Sequence, residues 1–370
     1  MGHPSRYALL ALSGLLLAAC GSLPTPDPLP VVSLSTASLH GTMSANNDGL
    51  NSDNDTVLAD HNSFASSGAK WWAESAKWWA EGAKWWAEGA KWWAEGAKWW
   101  AEGVFQPMPA NSAVLRAVKI DTAQAMSPHL GRGVIVAVID TGIDLAHPMF
   151  RGALLPGRDF VDNNPDASEM GTDADPAYGH GTAVAGIIRQ VAPEAKILPL
   201  RVLSPDGSGL ASNVASAIRF AVDHGARIVH LSIAARVSNG GVRSALQYAA
   251  HQGVMVVAAC GNDGTDRCEA PANALSGNSP LAQVGVSVSA ANIDGTFPSW
   301  STRGGEVLAP GVKVLSAYPQ GRTISASGSS FAAPLVTGSL ALALAEGKEP
   351  ADLDALLTTG KLADVSQLLR

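Results

Sequence analysis

Positive charge is in short supply in this chain. Its 25 Lys and Arg are outnumbered by 32 Asp and Glu, for a net charge of −7, whereas a nucleic-acid partner would need a cationic face. Only 15% of residues are charged and 46% are hydrophobic. Most of the 370 residues can therefore build a core, for one large domain with extra segments or for two domains. No apolar run reaches the roughly 20 residues that cross a bilayer as a helix. Cysteine is scarce, with three in all, and neither Cys-x-x-Cys nor His-Glu-x-x-His occurs, which leaves a zinc site without support.

What is present begins with a targeting segment over residues 1–19. Arg6 precedes a short apolar run over 8–19, which ends in Leu17-Ala18-Ala19-Cys20. Small residues before a cleavage point mark a secretory signal. The cysteine directly after them makes the segment resemble the lipobox of bacterial lipoproteins, which implies lipidation of Cys20. Acyl chains there would hold the protein at a membrane surface; the alternative is an ordinary signal with a chance cysteine. Residues 20–68 are rich in Ser, Thr, Asn, Asp and Pro and read as a disordered tether.

Residues 69–103 repeat with a period of seven, starting with Ala69-Lys70-Trp71-Trp72-Ala73-Glu74-Ser75, and hold every tryptophan except Trp300. Seven residues return to nearly the same helix face, and Lys70 and Glu74 can pair along it. Gly82, Gly89 and Gly96 each weaken such a helix by about 1 kcal/mol relative to Ala. Two readings stay open: a low-complexity spacer, or a segment whose Trp and Lys settle at a membrane interface. A linker over 104–112 follows.

Beyond residue 113 short apolar runs alternate with helix-like stretches. Strands are expected at 134–139, 196–202, 227–233 and 254–259, with helices at 182–190, 213–223 and 242–251. This alternation predicts an α/β fold, a mostly parallel central sheet with helices on both faces. A last helix should run from Ser330 to Ala345 and stop before Gly347 and Pro350. The tail, 347–370, should carry a short helix over 351–358.

Three segments place a reactive side chain beside glycine: Val138-Ile139-Asp140-Thr141-Gly142, Gly179-His180-Gly181-Thr182 and Gly328-Ser329-Ser330. A serine hydroxyl needs an imidazole to take its proton and a carboxylate to orient that imidazole. Asp140 ends an apolar run, where a parallel strand leaves the sheet and reactions cluster. Asp144 better fits a turn aspartate. His180 opens a helix of small residues. Ser327 and Ser329 rival Ser330 on composition, but the helix start favours Ser330. Asn262, just past a strand end, is either an oxyanion donor or a plain turn residue. His224 and His251 sit near helix ends, and His230, on a strand, reads as a satisfied core or cleft-edge histidine. Cys260 and Cys268 can pair in an exported protein, adding about 2–3 kcal/mol; two free thiols are the alternative.

In the order Asp, His, Asn, Ser, these segments resemble the subtilisin-like serine peptidases over residues 113–346. Further matching stretches are Leu203-Ser204-Pro205-Asp206-Gly207-Ser208-Gly209, Leu231-Ser232-Ile233 and Ala309-Pro310-Gly311. The resemblance implies proteolysis by acyl transfer, with Asp140 orienting His180, His180 deprotonating Ser330, and Asn262 with the Ser330 amide holding the oxyanion. It implies no required cofactor. Ser208, Gly209, Ser232, Ile233 and Ala234 would line the cleft and pair with an extended protein or peptide substrate. Ser329 stands where Thr is usual, Phe331 where Met is usual, and Ala234 where glycine is common. Many relatives bind calcium, but the acidic stretch 162–175 lacks a loop pattern for it and reads as solvated. The family's folding pro-domain is not visible, since tether and repeat occupy its place. The expectation is an exported, lipid-anchored endopeptidase in a bacterial envelope. An inactive scaffold displaying the repeat and a serine esterase compete with it; four intact positions argue against the scaffold.

Overall fold

The computed structural model describes residues 32–33, 57–59, 108–275, 280–350 and 362–370. The signal, Cys20, the Trp repeat and the helix expected over 351–358 lie outside them.

The apolar runs become the centre of a seven-stranded sheet. Its strands are β3 (Ile135–Asp140), β4 (Arg158–Asp159), β5 (Lys196–Arg201), β7 (Ile228–Leu231), β8 (Met255–Ala259), β9 (Gly285–Ala291) and β10 (Val307–Pro310). Their order is β10-β9-β8-β7-β3-β5-β4, and every neighbouring pair is parallel. Chain order runs one way from β3 through β5 and the other way from β7 through β10. The switch between β3 and β7 is where an open parallel sheet offers a crevice at its carboxyl edge.

Side chains alternate across this sheet, as the two-residue period of a strand requires. Val136 and Val138 enter one apolar core, Ala137 and Ile139 the other. The first core takes the helices His180–Val191 and Ser329–Ala345, and the second takes Ala211–Asp223 and Gly240–His251. Shorter helices, Ser112–Ala117 and Ile120–Met126, precede β3. In chain order these six are α1 (Ser112–Ala117), α2 (Ile120–Met126), α3 (His180–Val191), α4 (Ala211–Asp223), α5 (Gly240–His251) and α6 (Ser329–Ala345). α6 is buried from Ser329 to Leu344, as expected of a helix apolar all round. The described tail joins the first core, with Ala363, Val365 and Leu368 buried.

Two short pairings complete the fold. β11 (Val314–Tyr318) and β12 (Arg322–Ala326) form an antiparallel hairpin, and β1 (Val32–Ser33) lies parallel to β12. β2 (Val57–Ala59) pairs antiparallel with β6 (Ser208–Leu210). Both β1 and β2 belong to the stretch expected to be a tether.

Candidate active site

The carboxyl ends of β3, β7 and β8 and the start of α6 bring the sequence-predicted residues together. Asp140 is the last residue of β3 and His180 the first of α3. Two glycines make that approach feasible. A Cβ on Gly181 would lie 2.2 Å from the Gly142 carbonyl oxygen, and Gly179 has φ 82° with its missing Cβ facing the Tyr318 ring, a conformation and a gap that suit glycine. The Asp140 Oδ1 and His180 Nδ1 are 2.7 Å apart, with both side chains buried. The Thr141 N–H donates to the same Oδ1 at 2.7 Å, fixing the carboxylate plane. An imidazole bonded to a carboxylate through Nδ1 carries its proton there, which leaves Nε2 as the ring's accepting nitrogen.

Ser330 lies in the first turn of α6 and is buried. Phe331, the next residue, meets the His180 ring edge-on at 5.4 Å between centroids, so the serine turn packs against the histidine. The Ser330 hydroxyl donates to the Ser232 carbonyl at 3.3 Å. Ser329, a rival on composition, is committed elsewhere: its Oγ accepts the Gly261 N–H at 3.1 Å and its own N–H donates to Asn262 Oδ1 at 2.8 Å. Because a backbone amide can only donate, that bond identifies the Asn262 oxygen and turns its NH2 group toward Gly328; a Cβ on Gly328 would lie 3.3 Å from Nδ2. The loop holding Asn262 is closed by a Cys260–Cys268 disulfide.

His230 is a satisfied core histidine. Its Nδ1 lies 2.7 Å from Thr337 Oγ1 and its Nε2 2.7 Å from Ser232 Oγ. Ser232 in turn donates to the Ser330 carbonyl at 2.9 Å, so Ser232 accepts from His230 Nε2–H and Thr337 donates to Nδ1. Burial pushes this imidazole down to about 3, with the nearby Asp140 opposing and His180 adding. His224 bonds the Phe220 carbonyl at its helix end. Asp144 is a turn residue whose two oxygens accept from Ala146 and Gln320 N–H groups.

The expected substrate edge, Ser208 and Gly209, lies in β6 and is paired with β2 in the register Leu58↔Gly209 and Ala59↔Ser208. Ser232, Ile233 and Ala234 follow β7 and are buried. Ile233 and Ala235 line an apolar pocket with Val214, Val242 and Leu246. The acidic stretch is partly consumed by ion pairs: Asp162 with Arg201 at 2.7 Å and Asp173 with Arg322 at 2.7 Å. Sequence reasoning passed over Glu169, whose buried carboxyl lies behind Thr182; its polar loop gives no periodic signal.

A family model described as the Subtilase family matches residues 131–366. Thermitase of Thermoactinomyces vulgaris is 34% identical over 251 residues, covering 65% of this chain and 85% of its own. Subtilisin BL of Lederbergia lenta is 33% identical over 238 residues, covering 60% and 82%. The crystal structure of a cold adapted subtilisin-like serine proteinase superposes with a TM-score of 0.55 at 33% identity, covering 64% of this chain and 90% of that one. This chain belongs to the subtilase family and is a serine-type endopeptidase.

Proposed function

We propose that Ser330 is the nucleophile, His180 its general base and Asp140 the orienting carboxylate of an exported, lipid-anchored endopeptidase acting on proteins. The observation that carries the assignment is the buried 2.7 Å contact between Asp140 Oδ1 and His180 Nδ1, with the His180 ring against Phe331, the residue after Ser330. In this reaction Ser330 Oγ attacks the peptide carbonyl carbon while its proton passes to His180 Nε2. The Asn262 amide and the Ser330 N–H hold the oxyanion. His180 then gives the proton to the departing amine, leaving an acyl-enzyme, and water repeats the sequence to release the acid.

The substrate lies extended along two edges, β6 at Ser208-Gly209 and the segment Ser232 to Ala234. That β6 takes an antiparallel strand is supported by β2, which occupies it in the intact chain. A substrate strand uses the same backbone groups and competes with residues 57–59. Its alternate side chains favour apolar residues where Ile233 and Ala235 open their pocket. Cys20 carries the lipid. Among the described residues no helix is long and apolar enough to cross a membrane.

Ser330→Ala tests the assignment. Casein hydrolysis and labelling by a fluorophosphonate probe should both vanish while the circular dichroism spectrum is kept. Persistent labelling would move the nucleophile elsewhere.

A further inference from the structure

Behind the Asp140–His180 pair lies a second carboxyl group that the reaction above does not use. Glu169 belongs to the loop between β4 and α3. The residue is half-buried, yet its Oε1 is shut off from solvent. Its backbone is pinned beside the end of β3, with the Glu169 N–H donating to the Ile143 carbonyl at 3.0 Å. Oε2 accepts twice from Thr182, from the N–H at 3.2 Å and the hydroxyl at 2.8 Å. The Thr141 hydroxyl and the Gly179 amide also act on this carboxyl group. Thr141 directly follows Asp140, while Gly179 and Thr182 bracket His180. The Gly181 N–H closes the loop by donating to Thr141 Oγ1 at 3.0 Å. A single carboxyl group thereby joins the exit of β3 to the first turn of α3.

Loop fixation alone is a poor reason to bury a carboxyl group here. An amide of the same size would keep the two bonds from Thr182 without the cost of desolvating a charge. Burial raises this carboxyl to about 7, the hydrogen bonds from Thr141, Thr182 and Gly179 oppose the rise, and the like charge of Asp140 adds to it. The titratable groups around it are Asp140 from β3, His180 bonded to Asp140, Tyr178 from the segment before α3, and Asp144 from the turn after β3. Among the described residues no Lys or Arg pairs with Glu169.

We propose that Glu169 is a positioning residue for the Asp140–His180 pair: it clamps Thr141 and Thr182 so that carboxylate and imidazole meet, and it supplies a second negative charge against which His180 titrates. The proposal rests on the assignment of Asp140 and His180 made above. A negative neighbour favours the imidazolium, so an ionised Glu169 delays the loss of the His180 proton to higher pH. Because Glu169 itself ionises in the neutral range, the two groups leave their protons as a coupled pair and the acid limb of activity is broadened.

The test is the pH profile of kcat/KM on a chromogenic peptide, measured for the full chain as wild type, Glu169→Gln and Glu169→Ala. Gln keeps the size and most hydrogen bonds but carries no charge. Its acid limb should move to lower pH and become narrower, so that activity at pH 7, where the Glu169 carboxyl is about half ionised, rises about twofold relative to each plateau. Ala removes the clamp, and kcat should fall about tenfold with little change in KM; Gln should recover most of that loss. A Gln limb that superimposes on the wild type overturns the proposal, whatever happens to thermal stability. If the Ala variant fails to fold, the Gln limb still decides. His180→Ala measured alongside separates the two levels, since retained activity there would sink the underlying assignment instead.

Discussion

Acid should weaken this fold through one imidazole, and the size of the effect can be worked out. His230 is fully buried and held as a neutral ring between Thr337 and Ser232, with its ionisation pushed from 6.5 to about 3. The unfolded chain binds a proton there as pH falls below about 6.5, while the folded chain does so only near 3. Stability is therefore intact above the unfolded value and lost as pH falls through the window between 6.5 and 3. At pH 4 the gap amounts to about 2.5 pH units, or about 3 kcal/mol. For a domain of this size that corresponds to roughly 6–12 °C in Tm. The assay is urea denaturation at pH 7 and pH 4 in a Ser330→Ala background, which prevents autolysis, with and without His230→Gln. Glutamine keeps a donor and an acceptor but does not titrate. Glu169 and Glu269, both raised to about 7 by burial, pull the other way as pH falls, but they are common to both proteins and cancel in the difference. The His230 protein should lose about 3 kcal/mol more than its Gln variant between the two pH values. Parallel losses would refute the reasoning and place the acid sensitivity elsewhere.

Two further outcomes test the ends of the chain. Leu58→Pro removes an amide from the strand that covers β6, so KM for an extended peptide should fall several-fold while kcat holds; an unchanged KM would mean that residues 57–59 do not compete for the edge. Cys20→Ala should move the protein from the membrane fraction to the soluble one without loss of specific activity, and continued sedimentation with membranes would remove the lipid anchor from the account.

The parts legible in the sequence were those written in contiguous residues. The runs feeding β3, β5, β7 and β8 are apolar on both faces, as central parallel strands must be, and their observed limits fall within a residue or two of the expected ones. Only β7 is notably shorter, ending at Leu231 ahead of Ser232 and Ile233. The remaining strands were not foreseen. β9 (Gly285–Ala291) mixes serine with small residues although every one of its side chains is buried, and β11 and β12 owe their existence to pairing with each other. β2 and β6 are a sharper case, since each is three residues long and exists only through a partner some 150 positions away. At the site, Asp140, His180, Asn262 and Ser330 announced themselves by glycine neighbours and strand ends. Glu169 did not, because what matters about it is the threonines it meets.

The Ser330 hydroxyl sits at the head of a helix that has no solvent face along sixteen consecutive residues, Ser329 to Leu344. Such a helix has nowhere to slide. Its placement is set by the interior of the protein, while the pocket lined by Ile233 and Ala235 lies in the segment whose Ser232 hydroxyl donates to the Ser330 carbonyl. On the proposed assignment, substrate preference should be open to rebuilding at that pocket with Ser330 left in register, and substitutions deep along the helix should register as lost folding before they register as altered choice of substrate.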